Sequence, residues 1–351
     1  MRSPKPKVII ISPALRQANN GNWHTAYRWS RFLRDRWDVN ILSDWSAGRD
    51  HEQPQCMVAL HARRSAAVIA KFAEAYPDRP LVLVLTGTDL YRDIGTDESA
   101  RRSLELATEL VVLQEAGLEA LEPRHRRKCR VIYQSAPFLK PGAPSQRTFD
   151  VILVGHMRAE KDPLTPTSAL RRLPADSPVR LIHIGEALNE EYARAAHELQ
   201  AFAWPSVQRY RWLGGRTHGE TRQRIRRARV MVISSVMEGG ANVIIESVTA
   251  GVPVVASRMS GNIGMLGGDY GGYFTVGDDR ELAALLERIS HDADFLERLR
   301  RQCAQRAPLF DPAREEAEVR RLLDDALANR RWTKHEDDFH IEVDELRSNR
   351  T

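Results

Sequence analysis

The sequence predicts an α/β protein: two parallel-sheet units in series, facing a central cleft. Three observations carry this. Apolar runs of strand length alternate with segments of helical periodicity from Val8 to Ala256, the pattern of a parallel sheet covered by helices. A cluster of turn formers, Pro137, Pro141, Gly142, Pro144 and Ser145, breaks that alternation near its middle and reads as a linker. The alternation then restarts, and 351 residues suit two domains.

Val8-Ile9-Ile10-Ile11, ended by Ser12-Pro13, is the first strand. A polar loop from Arg16 to Asn22 follows. Trp23, Tyr27, Phe32, Leu33 and Trp37 then recur near helical spacing and predict an amphipathic helix. Strands are expected at Val39 to Leu42, Met57 to Leu60, Leu81 to Leu85, Leu110 to Leu113 and Val131 to Tyr133. Helices are expected at Ala66 to Tyr76 and Ser99 to Thr108. After the break, strands are expected at Val151 to Val154, Val179 to Ile184, Tyr210 to Leu213, Val230 to Ile233 and Val252 to Ala256. Arg314 to Ala328 reads as a strong helix, and the acidic, polar tail from Trp332 to Thr351 as loosely packed. The expected division is 1–145, 146–310, and a C-terminal helix and tail over 311–351.

Composition narrows the classes. Hydrophobic residues make up 42% and charged residues 28%, enough apolar side chain for two cores, which excludes a disordered chain. No apolar run approaches the roughly 20 residues of a spanning helix. The basic N-terminus is followed by too few apolar residues for a signal peptide, so the expected location is cytoplasmic, with no membrane partner. The net charge of +5 is mild. Two arginine runs, Arg124 to Arg130 and Arg222 to Arg229, read as solvated helix faces, and no nucleic-acid motif accompanies them. Cys56, Cys129 and Cys303 are far apart and odd in number, which argues against a disulfide framework and a zinc site. No metal and no cofactor is expected.

The sharpest chemical signal runs from Ser235 to Glu246, followed by Ala250-Gly251-Val252-Pro253. It reads as strand, glycine loop, helix, tight turn and strand. Backbone N–H groups of Gly239, Gly240, Ala241, Asn242 and Val243 lie at a helix N-terminus, where they lack helical partners and suit a phosphate. Glu238 stands on the loop and Glu246 eight positions on. Glu246 would accept hydrogen bonds from a ribose diol and Glu238 from a sugar. The alternative is a helix-start acid plus a paired core acid.

Glu238 and Glu246 match the E-x7-E element of retaining GT-B nucleotide-sugar glycosyltransferases, whose donor domain also carries G-R-L-x-x-E-K after its first strand. Gly155-His156-Met157-Arg158-Ala159-Glu160-Lys161 stands at that place. The chain therefore resembles this superfamily, which implies two Rossmann-like domains. By the resemblance, Lys161 holds the donor diphosphate, Glu246 the ribose hydroxyls, and Glu238 with the following backbone the sugar. His156 replaces the superfamily's phosphate-binding arginine, and Arg158 stands two positions on to supply the charge.

The first half offers acceptor chemistry. Asn20, Gly21 and Asn22 precede a helix; either asparagine could simply cap it, or the loop could approach the donor phosphates. His61, Arg63 and Arg64 follow one strand and Thr86 and Thr88 another. Together these could form an oxyanion pocket, while His61 alone also fits a structural role. Gln134-Ser135 is a weaker candidate.

Ser12-Pro-Ala-Leu, Asn19-Asn-Gly-Asn-Trp, Thr86-Gly-Thr-Asp-Leu-Tyr, Gly155-His-Met-Arg-Ala-Glu-Lys-Asp-Pro and Met237-Glu-Gly-Gly-Ala-Asn-Val-Ile together resemble a narrower family. So do Ser257 to Asn262 and Asp269 to Phe274. That family is the selenosugar synthases of selenoneine biosynthesis. The resemblance spans roughly residues 8 to 290. It implies C–Se bond formation between selenophosphate and the anomeric carbon of a UDP-sugar, UDP-N-acetylglucosamine by expectation, with loss of UDP. It also implies a functional link to a selenophosphate-producing enzyme. A small, strongly nucleophilic anion needs positioning more than deprotonation, and no general base stands out. The competing readings are a GT-B enzyme acting on a hydroxyl of a small molecule or glycan, and a nucleotide-sugar sensor without turnover. A dinucleotide oxidoreductase is set aside, because Ser12-Pro13-Ala14 stands where its glycine fingerprint belongs.

Overall fold

The computed structural model describes residues 5–15, 17, 20–47 and 53–328. Its apolar runs pair into two six-stranded sheets, parallel throughout. The first holds β1 (Lys7–Ile11), β2 (Asp38–Leu42), β3 (Cys56–Leu60), β4 (Leu81–Val84), β5 (Glu109–Val112) and β6 (Cys129–Val131), in the order β2-β1-β3-β4-β5-β6. The second holds β7 (Phe149–Val154), β8 (Val179–Ile184), β9 (Tyr210–Trp212), β10 (Val230–Ile233), β11 (Val254–Ser257) and β12 (Tyr273–Phe274), in the order β12-β11-β10-β7-β8-β9. β12 was not expected: two residues give no readable periodicity.

Residues alternate between the faces of the first sheet, as strand geometry requires. Ile9, Ile11, Met57, Ala59, Leu81 and Leu83 enter one buried cluster. Val8, Ile10, Cys56, Val58, Val82 and Val84 enter another. The second cluster also takes Trp29 and Leu33 of the helix Gly21–Leu33, and Val319, Leu322 and Leu323 of the helix over 312–328. Glu315 fastens that last helix, accepting hydrogen bonds from Trp29 Nε1 at 2.8 Å and Arg28 Nε at 2.7 Å.

The compact units accordingly divide at Ile132 and Tyr133, and residues 313–328 rejoin the first. The expected borders at 145 and 311 differ from this. The proline-rich stretch is no free linker but a strap on the second unit. Leu139 N–H donates to Thr249 O at 3.0 Å, and Gly142 N–H to Arg226 O at 2.7 Å. Much of the second arginine run serves the strap. Arg222 donates to Pro137 O, Arg226 to Lys140 O and Arg229 to Ser145 O. The expected solvated face is thus partly consumed by backbone carbonyls.

Cys56 and Cys303 are buried and Cys129 is half-buried; burial pushes the Cys56 and Cys129 thiols up to about 12. Among the described residues no helix is long and apolar enough to cross a membrane. The expectation for the tail from Trp332 falls outside the described residues.

Candidate active site

In an open parallel sheet, ligands bind beyond the carboxyl ends of strands where the order of connection reverses. In the second sheet β7 is first in sequence, with β8 and β9 on one side and β10, β11 and β12 on the other. The reversal lies between β7 and β10. The segments leaving those two strands are Gly155 to Lys161 and Ser234 to Glu238, so topology joins two motifs that are about 80 residues apart in the chain.

Lys161 ends a short 3-10 turn, Ala159–Lys161, and Asp162 stops it in the left-handed region at φ 42°. Ser234, buried at the end of β10, ties that turn down: its hydroxyl donates to Lys161 O at 3.0 Å and Asp162 O at 2.7 Å. Val236 N–H adds a bond to Glu160 O. The Lys161 stem passes over Gly155, where a Cβ would come within 3.7 Å of it. Its ammonium donates to Glu238 Oε1. Ser235 Oγ donates to the same oxygen at 2.6 Å. The second oxygen of Glu238 makes no hydrogen bond among the described residues and remains open to a ligand.

The floor of this site is closely packed. Gly185 lies so close to Gly155 that a Cβ would sit 1.9 Å from Gly155 O, so only glycine fits there. His183 Nε2 lies 3.2 Å from Gly155 O and Nδ1 lies 3.1 Å from Tyr210 OH. The carbonyl can only accept, which puts the His183 proton on Nε2 and leaves Nδ1 to accept from Tyr210. Burial holds this imidazole neutral, with its pKa lowered to about 4. On the other side, Gly261 packs against Glu238 O. Ser257 Oγ donates to Ser235 O at 2.6 Å, and Asn262 Nδ2 to Ser257 O at 2.9 Å.

The helix Asn242–Val248 starts at Ala241, which offers no side-chain cap. Its leading amides are left to solvent or a ligand. Glu246 lies among buried neighbours, its side chain 11% exposed, and accepts from His218 Nε2 at 2.7 Å. His156 is half-buried and turned aside, its Nδ1 accepting from Glu186 N–H at 3.1 Å. Arg158 is exposed, faces Glu160 at 4.0 Å, and is not gathered with Lys161 and Glu238. The cation expected to replace the missing arginine therefore stands outside the cluster.

The first sheet reverses between β1 and β3. His61, directly after β3, is buried and sits at φ 74°, a conformation that side chains other than glycine adopt rarely and that often marks a functional site. Its Nδ1 accepts from Arg64 N–H at 3.3 Å, and its Nε2 faces Thr88 Oγ1 at 3.1 Å. The proton therefore lies on Nε2 and points to Thr88. Burial lowers the His61 pKa, Asp89 and Asp93 opposing. Asp89, fully buried, accepts from the N–H groups of Ala62, Thr86 and Gly87 at 2.9, 2.9 and 2.8 Å. Asp93 accepts from Arg63 Nε at 2.8 Å and Arg92 Nε at 3.1 Å. Burial alone would raise the Asp93 pKa, but those bonds outweigh it and hold it low.

His61, Thr86 and Thr88 thus meet, as the expected pocket requires, but around two acids that sequence reading did not weigh. Arg63 is engaged by Asp93, and Arg64 is exposed and pairs with no carboxylate among the described residues. Asn20 is the helix cap, accepting from Trp23 N–H at 3.2 Å, and Gly21 and Asn22 open the helix. Asn19 lies outside the described residues. Gln134 and Ser135 are buried. His218, Ser234, His183 and Asp89 were missed. Only Thr217 and Glu220, spaced as a capping box, marked the position of His218.

Residues 139–309 match the family model described as glycosyl transferases group 1. That match spans nearly the whole of the second unit. Solved structures agree over both units. HepE from Anabaena, in complex with UDP and glucose, matches with a TM-score of 0.75 at 18% identity, covering 91% of this chain and 100% of that one. A sucrose-phosphate synthase from Thermosynechococcus elongatus matches at 0.74 and 16%, covering 93% and 100%. A glycosyltransferase from Rickettsia africae matches at 0.68 and 12%, covering 93% and 99%. The fold is GT-B. No curated protein matches the sequence significantly.

Proposed function

We propose that this glycosyltransferase moves a sugar from a UDP-sugar to selenophosphate. The selenium electron pair forms the C–Se bond, the bond from the anomeric carbon to the diphosphate breaks, and UDP leaves. The observation that carries the donor side is the meeting of Lys161 and Glu238 at the topological reversal of the second sheet. In this reading Lys161 stabilises the departing diphosphate together with the amides from Gly239 to Val243. Preorganised charge of this kind is the usual source of leaving-group stabilisation. The open oxygen of Glu238 takes a sugar hydroxyl, and Glu246 takes the ribose. HepE, a neighbour in fold, was solved with UDP-glucose, which supports a UDP-sugar as donor. The choice of selenium rests on the sequence resemblance described above. On the first unit, the Thr88 hydroxyl accepts from His61 and keeps its own proton to donate to an anionic acceptor. Arg64, exposed three residues on from His61, supplies a cation.

The test is product analysis. UDP-N-acetylglucosamine and selenophosphate are incubated with the protein, and the products are read by mass spectrometry for the selenium isotope pattern. A selenium-bearing sugar formed in step with UDP is the expected result. UDP release with no selenium in the sugar product would overturn the acceptor assignment in favour of a hydroxyl acceptor.

A further inference from the structure

Glu246 and Glu238 share a pattern. Each carboxylate has one oxygen held by a basic side chain and the other without a hydrogen bond among the described residues. For Glu246 the holder is His218, which no part of the sequence reading singled out. The helix His218–Ile225 opens with a reciprocal capping box: Glu220 N–H donates to Thr217 Oγ1, and Thr217 N–H donates to Glu220 Oε2 at 3.0 Å. That box fixes the first turn, and from its first position the His218 ring reaches Glu246 Oε1 at 2.7 Å. Arg222, one turn on, is drawn to Glu246 electrostatically. Its hydrogen bonds go instead to Pro137 O and Thr249 Oγ1. Among the described residues, His218 is therefore the side chain that donates to this carboxylate.

We propose that His218 is a positioning residue for Glu246. It pins one oxygen and sets the carboxylate plane, so that the other oxygen presents to the adjacent hydroxyls of a nucleoside ribose. The proposal rests on the reading of Glu246 as the ribose acceptor. A carboxylate held in one orientation binds a diol without first losing rotational freedom, the general benefit of preorganisation. Its functional consequence is selection for ribonucleotides over nucleotides lacking the diol.

Calorimetry with UDP and with 2′,3′-dideoxy-UDP tests this on the full chain. The wild-type protein should prefer UDP. His218→Ala should weaken UDP binding about tenfold, the usual size for a charge-assisted hydrogen bond, and leave the dideoxy nucleotide unchanged. His218→Gln, which restores an N–H donor at similar reach, should recover most of the preference. Dideoxy binding reports that the variants remain folded. If His218→Ala keeps the wild-type preference, or weakens both nucleotides equally, while Glu246→Ala abolishes the preference, the proposal is overturned and the ribose reading stands. If Glu246→Ala keeps the preference too, the ribose reading falls and the proposal with it.

Discussion

Both units place acidic and basic side chains beyond the carboxyl ends of their strands, yet the two clusters use them differently. In the second unit, Lys161 and Glu238 meet each other directly, each partly exposed, with one carboxylate oxygen left open. In the first, Asp89 is fully buried and satisfied by three backbone amides, and Asp93 is closed by Arg63 and Arg92. A charge pair at the surface of a pocket can exchange its partner for a ligand. A buried acid bonded to the backbone holds a loop in shape. The first cluster is thus a frame for His61 and Thr88, and the second is the one we propose to carry the chemistry.

The sharpest way to break this contrast is to remove one charged side chain from each unit. Asp89→Ala would leave the amides of Ala62, Thr86 and Gly87 without their acceptor. At about 1–3 kcal/mol for each unsatisfied buried group, the loss of stability should be on the order of 4 kcal/mol. Thermal unfolding checks it; an unchanged Tm would mean that the loop does not depend on Asp89. Lys161→Ala should act in the opposite sense, leaving Tm nearly constant. Turnover should fall by about 100- to 1,000-fold, roughly 2.7–4 kcal/mol, as for loss of a donor that stabilises developing negative charge. Steady-state kinetics would contradict the leaving-group role if kcat stayed near that of the wild type.

Acid should loosen the floor of the second site. The His183 pKa is about 4 in the folded protein against 6.5 when free. Between those values the unfolded chain binds the proton and the native state does not, so stability falls as pH falls through that window. The His183 contribution is fully present above pH 6.5. The loss down to pH 4 is on the order of 3 kcal/mol. Denaturant unfolding at pH 7 and pH 5 should show it, and His183→Gln should flatten that part of the slope. The smallest expected effect is at Glu246. Its change to alanine should weaken UDP binding by about 1.5–3 kcal/mol, roughly ten- to a hundredfold or slightly more. Unchanged UDP affinity by calorimetry would remove it from the nucleotide site.

How far the sequence revealed this depended on how local each signal was. The strands were readable because buried parallel strands are continuous apolar runs, and Val179 to Ile184 matches its observed bounds. The segments Gly155 to Lys161 and Ser235 to Glu246 were readable because each lies on one strand-to-helix turn. The strap of residues 137–145 was misplaced because proline marks an irregular backbone without saying what that backbone is bonded to. The same limit hid His218, Ser234 and His183, whose importance lies in partners 28 to 73 residues away. Of the acids beneath His61, Asp89 lies inside the Thr86-Gly-Thr-Asp-Leu-Tyr motif and Asp93 two residues past it; neither stood out, since burial, not residue type, makes them structural.

We place a nucleotide diphosphate over the turn at Lys161 by proposal. A crystal structure with UDP bound tests it most directly. Diphosphate oxygens are expected within hydrogen-bond distance of Lys161 Nζ, and ribose hydroxyls on Glu246. A nucleotide seated away from both residues would contradict it.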